Sequence, residues 1–250
     1  MAKIPIAVQL YSVRKDFQND PAGTIAGVAK MGYEGVEFAG YADKSAQELR
    51  KMIDDAGLKC CGTHIGIQTL LGDEFKKTVE FNQILGNPFL IVPGLPGEYT
   101  ATRAAWQKTA QIFNEIADQL APLGLKTGYH NHHTEFAMLD GETPWDTFFG
   151  NTKAEVVMQF DVGNAVHGGG DAVTYLRRYP YRADTVHVKE YCKANESALI
   201  GEGDVDWAQV FAACEEVGNT KWYIVEYEHE SQPAMESVDK CLKNLRKMGK

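Results

Sequence analysis

Along the chain, apolar residues alternate between two spacings. Residues 4–13 form a short apolar run, after which Ile25, Val28 and Ala29 recur at helical spacing across 21–31. Residues 35–38 read as a strand; Ala46, Leu49, Ile53 and Ala56 then mark the inner face of a helix that stops at Gly57. Residues 58–65 read as a strand, and Phe75, Val79 and Asn82 follow on a helix closed by Gly86. An all-apolar strand at 89–92 ends at Pro93, and the longest helix carries Trp106, Ala110, Phe113, Ala117 and Leu120 on one stripe. The second half repeats the scheme, with strands at 125–130, 156–160, 185–188 and 222–225. The helices between them are expected at 144–149, 172–178 and 207–217, and Met235, Val238, Leu242 and Leu245 mark the last one.

Strands apolar on both faces and separated by helices imply a parallel sheet covered by helices. Eight strand–helix units in 250 residues, about 31 residues each, fit a closed (β/α)₈ TIM barrel better than an open doubly wound sheet. No G-x-G-x-x-G follows the first strand, which removes the main argument for a dinucleotide fold. No Pro/Gly/Ser-rich linker breaks the chain, so 1–250 is expected to be a single α/β domain.

Composition narrows the function classes. The chain is 44% hydrophobic and 24% charged, the profile of a globular protein long enough to need no disulfide staple. A net charge of −9 argues against a nucleic-acid partner, because phosphate-backbone affinity requires a cationic surface. No apolar run reaches the ~18 residues of a membrane span, and the first residues carry no charged-then-apolar signal pattern. Five cysteines without a C-x-x-C pair read as free thiols in a reduced compartment, so a cytoplasmic location is expected.

In such a barrel, catalytic groups come from the C-terminal ends of the strands and the loops that follow. Strand one ends in Gln9-Leu10-Tyr11, strand two in Glu37 and strand three in His64. Strand five runs into Tyr129-His130-Asn131-His132-His133-Thr134-Glu135, and strand six ends in Asp161. Strand seven ends in His187-Val188-Lys189-Glu190 and strand eight in Glu226-Tyr227-Glu228. All seven histidines fall at these ends or in nearby loops, the latter holding His167 and His229. Taken singly, His64 reads as a hydrogen-bonded structural histidine, Glu37 as a rim carboxylate, and Glu228 and Glu230 as a solvated acidic stretch. Asp161, His187 and Glu226 differ, since each directly follows an apolar run where an unpaired charge is costly. Carboxylates converging beside an imidazole point to a divalent cation. Two or three carboxylates with one histidine make an oxygen-rich set, which selects Mn²⁺, Mg²⁺ or Co²⁺, with Zn²⁺ also accommodated. Such an ion polarises a carbonyl and lowers the barrier to removing the adjacent C–H proton, which a flanking carboxylate or imidazole then carries.

Several motifs resemble the xylose isomerase-like TIM barrels known as sugar phosphate isomerases/epimerases, over nearly the whole chain. They are Gly32-Tyr33-x-Gly35-Val36-Glu37, Tyr129-His130-Asn131-His132, Phe160-Asp161-x-Gly163-Asn164, Val186-His187-Val188-Lys189-Glu190 and Gly201-Glu202-Gly203-x-x-Asp206-Trp207. The resemblance implies an enzyme that removes a proton next to a sugar carbonyl through a metal-stabilised enediolate. An isomerase or epimerase is expected, with a dehydratase or lyase on a keto-sugar as the alternative and a metal-retaining, sugar-binding accessory subunit as the non-enzymatic one. Ketose 3-epimerases hold Mn²⁺ with Glu, Asp, His and Glu, the two glutamates also serving as acid and base. Carried over, three ligands fall on Asp161, His187 and Glu226, with Glu135 as the fourth and His132 as its rival. The strand-five histidines look more like inosose dehydratases and enzymes acting on 3-keto-glucosides, which would make His130 or His132 the general base or acid. Lys189 would then be an electrostatic partner of the enolate or a structural ion-pair partner. Gln9, Tyr11, Glu37, His64 and His167 would line the sugar pocket, and Tyr11, Phe38 or Trp207 would supply an aromatic platform. DNA-repair endonucleases on the same barrel need a basic groove that the net charge does not provide. The resemblance also implies a small-molecule sugar or keto-sugar as partner, and a homo-oligomer.

Overall fold

A computed structural model describes residues 3–250 of the protein. Eight parallel strands close into a barrel in sequence order. They are β1 (Ile6–Gln9), β2 (Gly35–Ala39), β3 (Lys59–His64), β4 (Phe89–Val92), β5 (Lys126–His130), β6 (Val157–Asp161), β7 (Thr185–Val188) and β8 (Trp222–Val225). The helices are α1 (Arg14–Asn19), α2 (Pro21–Met31), α3 (Ala46–Asp55), α4 (Glu74–Leu85), α5 (Gly97–Thr100) and α6 (Arg103–Leu120) in the first half. The second half adds α7 (Pro144–Phe149), α8 (Val162–His167), α9 (Ala172–Arg178), α10 (Trp207–Ala213) and α11 (Ala234–Lys247). The (β/α)₈ TIM barrel read from the hydrophobic pattern is the fold observed.

Helix boundaries follow local chemistry. Ser45 and Glu48 form a reciprocal capping box at the start of α3, and Thr102 accepts the Ala105 N–H at the start of α6. Three segments differ from the sequence reading. The 4–13 run is a four-residue strand followed by a 3₁₀ turn, and α1 follows without a break. α8 begins directly after β6 because Asp161 turns from strand residue to helix cap, its side chain accepting the Asn164 N–H. The helix expected over 207–217 is α-helical only to Ala213, then widens into a π-helical turn that ends at Asn219 with φ 58°.

Strand alternation sorts side chains to two layers. Outward residues such as Val8, Val36, Tyr129, Phe160 and Val186 join the main core against the helices. Smaller apolar groups form separate clusters, Ala7 with Cys61 and Ile224, and Phe89 with Ile91 and Val157, each touching Trp222. Nearer the C-terminal ends the strands carry buried polar groups: Gln9, Glu37, His130, Gln159, Asp161 and His187. The barrel is therefore apolar low down and polar at its mouth. Among the described residues no helix is long and apolar enough to cross a membrane.

Candidate active site at the barrel mouth

At the mouth, His130, Asp161, His187 and Glu226 each offer one donor atom, all within 4.8 Å of one another, and all four residues are buried. They stand at the ends of β5, β6, β7 and β8. Asp161 Oδ1 accepts the Asn164 N–H at 2.6 Å, while Oδ2 is buried without a partner. His130 Nδ1 is likewise buried and unpartnered. His187 Nδ1 lies 2.7 Å from Glu226 Oε2 and 3.9 Å from Asp161 Oδ2. Its other nitrogen, Nε2, faces Glu37 Oε2 at 2.6 Å.

Glu37 organises a second tier. Oε2 also accepts from Gln9 Nε2 at 2.8 Å, Oε1 accepts from Gln159 Nε2 at 2.7 Å, and His64 Nε2 lies 3.2 Å away. His64 Nε2 is also 2.6 Å from Gln159 Oε1, and its ring stacks on His187 at 5.4 Å. The carboxylate fits only because β3 carries Gly62 opposite, where a Cβ would stand 2.2 Å from Glu37 Oε1. Burial would raise Glu37, but His64 and His187 overcome it and hold the carboxyl below its ordinary range.

The same competition sets the other charges. Burial would lower His187, yet Glu37 and Glu226 on either side push it up to about 10. Burial would raise Glu226, but Lys189 and His187 hold it well below the usual carboxylate range. Asp161 is raised by burial against the pull of Lys189. Burial, reinforced by His187 and His64, drives His130 well below the ordinary imidazole range. His130 is thus a neutral donor beside an ionised Glu226.

This group could hold one divalent cation. Two of its residues carry an orphaned buried atom, Asp161 at Oδ2 and His130 at Nδ1. Two ligands of one ion with bonds of ~2.0–2.2 Å stand at most about 4.4 Å apart, so donor atoms gathered within 4.8 Å of one another are near the separation a single ion requires. The His187 Nε2–H donated to Glu37 is the outer carboxylate contact that commonly fixes the tautomer of a metal-binding histidine.

The sequence-derived candidates divide. The structure joins Asp161, His187 and Glu226 in one group and supplies His130 as the fourth donor. Glu135, expected in that place, points elsewhere. Its carboxylate accepts the Tyr129 hydroxyl at 2.9 Å, the His132 N–H at 2.8 Å and the Thr134 hydroxyl at 3.2 Å. His132 is exposed, its ring 5.3 Å from that of His130 and outside the four-residue group. Gln9 and Glu37 are fully buried and bonded to each other, so they support His187 rather than line an open sugar pocket. His64 joins that tier. Tyr11 remains exposed at the rim under Arg14. His167 is exposed, its ring between those of His133 and Tyr191. Of the three proposed platforms, Phe38 is fully buried and Trp207 is nearly so with its Nε1–H given to Glu190, which leaves Tyr11. Lys189 is largely buried and paired with Glu228.

Sequence reasoning missed Gln159 and Asn131. Gln159 lies two residues before Asp161 on β6, on the same strand face, and alternation alone points to it. Asn131 Oδ1 accepts the Asp161 N–H at 2.8 Å and Nδ2 donates to the Asp161 carbonyl at 2.9 Å, locking the end of β5 to that of β6.

The fold and this buried His/Asp/His/Glu group define a TIM barrel whose polar centre sits at the C-terminal mouth. Residues 25–248 match the family described as xylose isomerase-like TIM barrel, and the chain belongs to that family. An inosose dehydratase of Serratia proteamaculans is 22% identical over 245 residues, covering 82% of this chain and 82% of the relative. The crystal structure of a sugar phosphate isomerase/epimerase from Parabacteroides distasonis superposes with a TM-score of 0.85 at 26% identity, covering 98% of each chain. The IOLI protein, solved with a binding zinc atom, shares the fold at a TM-score of 0.76 and 14% identity, over 98% of this chain and 97% of its own.

Proposed function

We propose that this protein is a divalent-metal-dependent enzyme that removes the proton beside the carbonyl of a keto-sugar or keto-cyclitol. The observation that carries this reading is the buried group of His130, Asp161, His187 and Glu226 with its two orphaned atoms. His130, Asp161, His187 and Glu226 would hold the ion. When bound there, it supplies Lewis-acid polarisation of a substrate carbonyl oxygen.

The chain's own residues do the rest. Glu37, held by Gln9 and Gln159, keeps His187 in one tautomer and one orientation. Asn131 and the α8 cap fix Asp161 so that Oδ2 alone is free. His132, exposed next to His130, is placed to take or return a proton at the mouth. Lys189, beside Asp161 and Glu226, places a positive charge where negative charge develops as the proton leaves.

Within this reading, loss of water is favoured over epimerisation. Relatives at 21–24% identity are inosose dehydratases, and the cluster holds one glutamate rather than two. In that step the C–H bond beside the carbonyl breaks, its electron pair forms a C=C bond, and the hydroxyl on the next carbon leaves with a proton as water. A two-carboxylate set favours Mn²⁺, whereas two imidazoles shift preference toward Zn²⁺ or Co²⁺. Proton NMR in D₂O on free ketoses, inosose and 3-keto-glucosides, with the ion stripped before recording, tests the reading. Deuterium beside an intact carbonyl indicates isomerase or epimerase chemistry, and loss of water or of an aglycone indicates elimination. No exchange and no loss on any of them would overturn the proposal.

A further inference from the structure

Lys189 lies two residues after His187, on the same side of the chain. The β7–β8 register pairs His187 with Ile224 and Val188 with Val225, and the Glu226 N–H donates to the Val188 carbonyl at 3.4 Å. Carried one residue further, that register sets Lys189 beside Glu226. The ammonium is largely buried and feels three carboxylates, those of Glu226, Asp161 and Glu228. It donates to the third. Asp161 Oδ2, which it passes over, is buried without a partner.

Glu228 stands on a strap, residues 227–231, that is tied down at several points. The Tyr227 N–H donates to Ser12 Oγ at 3.0 Å, and its hydroxyl donates to the Ser197 carbonyl at 3.1 Å. Ser231 Oγ lies 3.1 Å from the same hydroxyl. Glu230 pairs with Arg14 at 3.1 Å and with Lys15 at 2.8 Å. The strap thus joins the end of β8 to the turn after β1 and to the segment after β7. Its Glu228 carboxylate, half-exposed, keeps water on one side and Lys189 on the other.

A buried ammonium without a partner is costly, and its hydrogen bond to a buried carboxylate is a strong one. Released from Glu228, Lys189 would turn to the carboxylates it still faces, Asp161 and Glu226. There it would take up oxygens that an ion needs and set a positive charge against the ion's own.

We propose that Glu228 is a positioning residue: by holding the Lys189 ammonium, it keeps Asp161 and Glu226 free to bind a divalent cation. The inference rests on the reading of His130, Asp161, His187 and Glu226 as an ion site and needs no assumption about the substrate. It gives a task to a residue that the sequence pattern presents as part of a solvated acidic stretch.

The test is a double-mutant cycle on the full chain, read as Co²⁺ affinity by chelator competition, with Tm recorded for each variant. Glu228→Gln should bind Co²⁺ about 10–100-fold more weakly than the parent. Lys189→Met should bind at least as tightly as the parent, because the competing cation is gone. Adding Glu228→Gln to Lys189→Met should then change the affinity by less than about threefold. A carboxylate acting through its own charge, or only by supporting the fold, would weaken binding equally in both backgrounds, and that result overturns the proposal. A Glu228→Gln affinity within about threefold of the parent's overturns it too, while leaving the ion site standing. If the parent itself binds no Co²⁺, the ion reading fails and the proposal with it.

Discussion

Replacing Glu37 by Gln keeps the volume of the side chain and removes one charge. Four donors or ring nitrogens converge on this carboxylate, from His187 at 2.6 Å, Gln159 at 2.7 Å, Gln9 at 2.8 Å and His64 at 3.2 Å. An amide offers one oxygen, and its NH₂ would face a donor. Gln9, His187 and His64 face Oε2 and Gln159 faces Oε1, so the amide either keeps its oxygen on the first three and strands Gln159 or turns its NH₂ toward them, and in both cases His187 loses its charged acceptor. The hydrogen bond to a charged group lost from His187 is worth about 1.5–3 kcal/mol. Losing a second-tier partner of this kind costs ~10–100-fold in metal affinity, or about 1.4–2.7 kcal/mol, so two independent routes agree in size. The variant should therefore fold and bind Co²⁺ or Zn²⁺ about 10–100-fold more weakly in a chelator-competition titration. The buried donor left unsatisfied costs about 1–3 kcal/mol of stability. At ~2–4 °C per kcal/mol for a chain of this size, Tm should fall by roughly 2–12 °C. A Glu37→Gln protein with metal affinity within twofold of the parent would refute the claim that Glu37 orients His187 for an ion.

Other outcomes follow from the same geometry. Glu226→Gln should retain the fold while lowering proton exchange at least ~100-fold in the D₂O assay, since the general acid–base contribution is about 10²–10⁴-fold; full activity would remove Glu226 from the site. Saturating the stripped protein with an ion at 100 times its Kd should add about 2.7 kcal/mol, raising Tm by roughly 5–11 °C in differential scanning calorimetry, and no shift would argue against a specific site. In native protein, Ellman's reagent should modify Cys192 alone, because Cys60, Cys61, Cys214 and Cys241 are buried. Burial also pushes the Cys60 and Cys214 thiols up to about 12 and Cys241 to about 11. Rapid reaction of a second thiol would contradict the packing. Gly203→Ala should loosen the loop after β7, since a Cβ there would lie 2.5 Å from both Glu190 Oε1 and the Tyr191 carbonyl. The cost should be about 1–3 kcal/mol in denaturant unfolding, and an unchanged midpoint would show that the loop absorbs the methyl freely.

The barrel was legible because its signal is repeated: apolar strands and amphipathic helices recur eight times, and each unit corroborates the next. Asp161, His187 and Glu226 were legible for a local reason, a charge placed directly after a buried apolar run. The fourth donor was not. His130 is the last residue of β5, where alternation still fixes its direction, whereas Glu135 lies in the 3₁₀ turn Thr134–Phe136, where strand parity no longer applies. The turn sends the Glu135 carboxylate back to the Tyr129 hydroxyl. The strand-seven motif was legible as a marker but not as a device. In the folded chain Glu190 accepts the Gly201 N–H at 2.7 Å, the Trp207 Nε1–H at 2.8 Å and the Val205 N–H at 3.3 Å. One carboxylate thus holds a loop of more than ten residues against β7. Its partners are distant in sequence, so no periodicity could reveal them.

Placing His130 where the resemblance leads one to expect a glutamate changes the charge of the centre. With His187 deprotonated, as an ion's ligand must be despite the pull of Glu37 and Glu226, Asp161 and Glu226 would contribute two negative charges and the imidazoles none, so a divalent ion would bring these four residues to zero; a third carboxylate would leave them at minus one. A neutral centre opposes less the build-up of negative charge on a substrate losing a proton, and Lys189 opposes it less still. The same exchange removes one half of a symmetric acid–base pair. A reaction that lifts a proton from one face and returns it to the other needs two matched groups, and Glu226 now stands opposite an imidazole. Elimination needs only one base and a donor for the departing hydroxyl, roles that Glu226 and the exposed His132 would divide. Under the proposed reaction, a histidine at the end of β5 would make the carbanion easier to form and harder to reprotonate symmetrically, the combination that would favour loss of a leaving group.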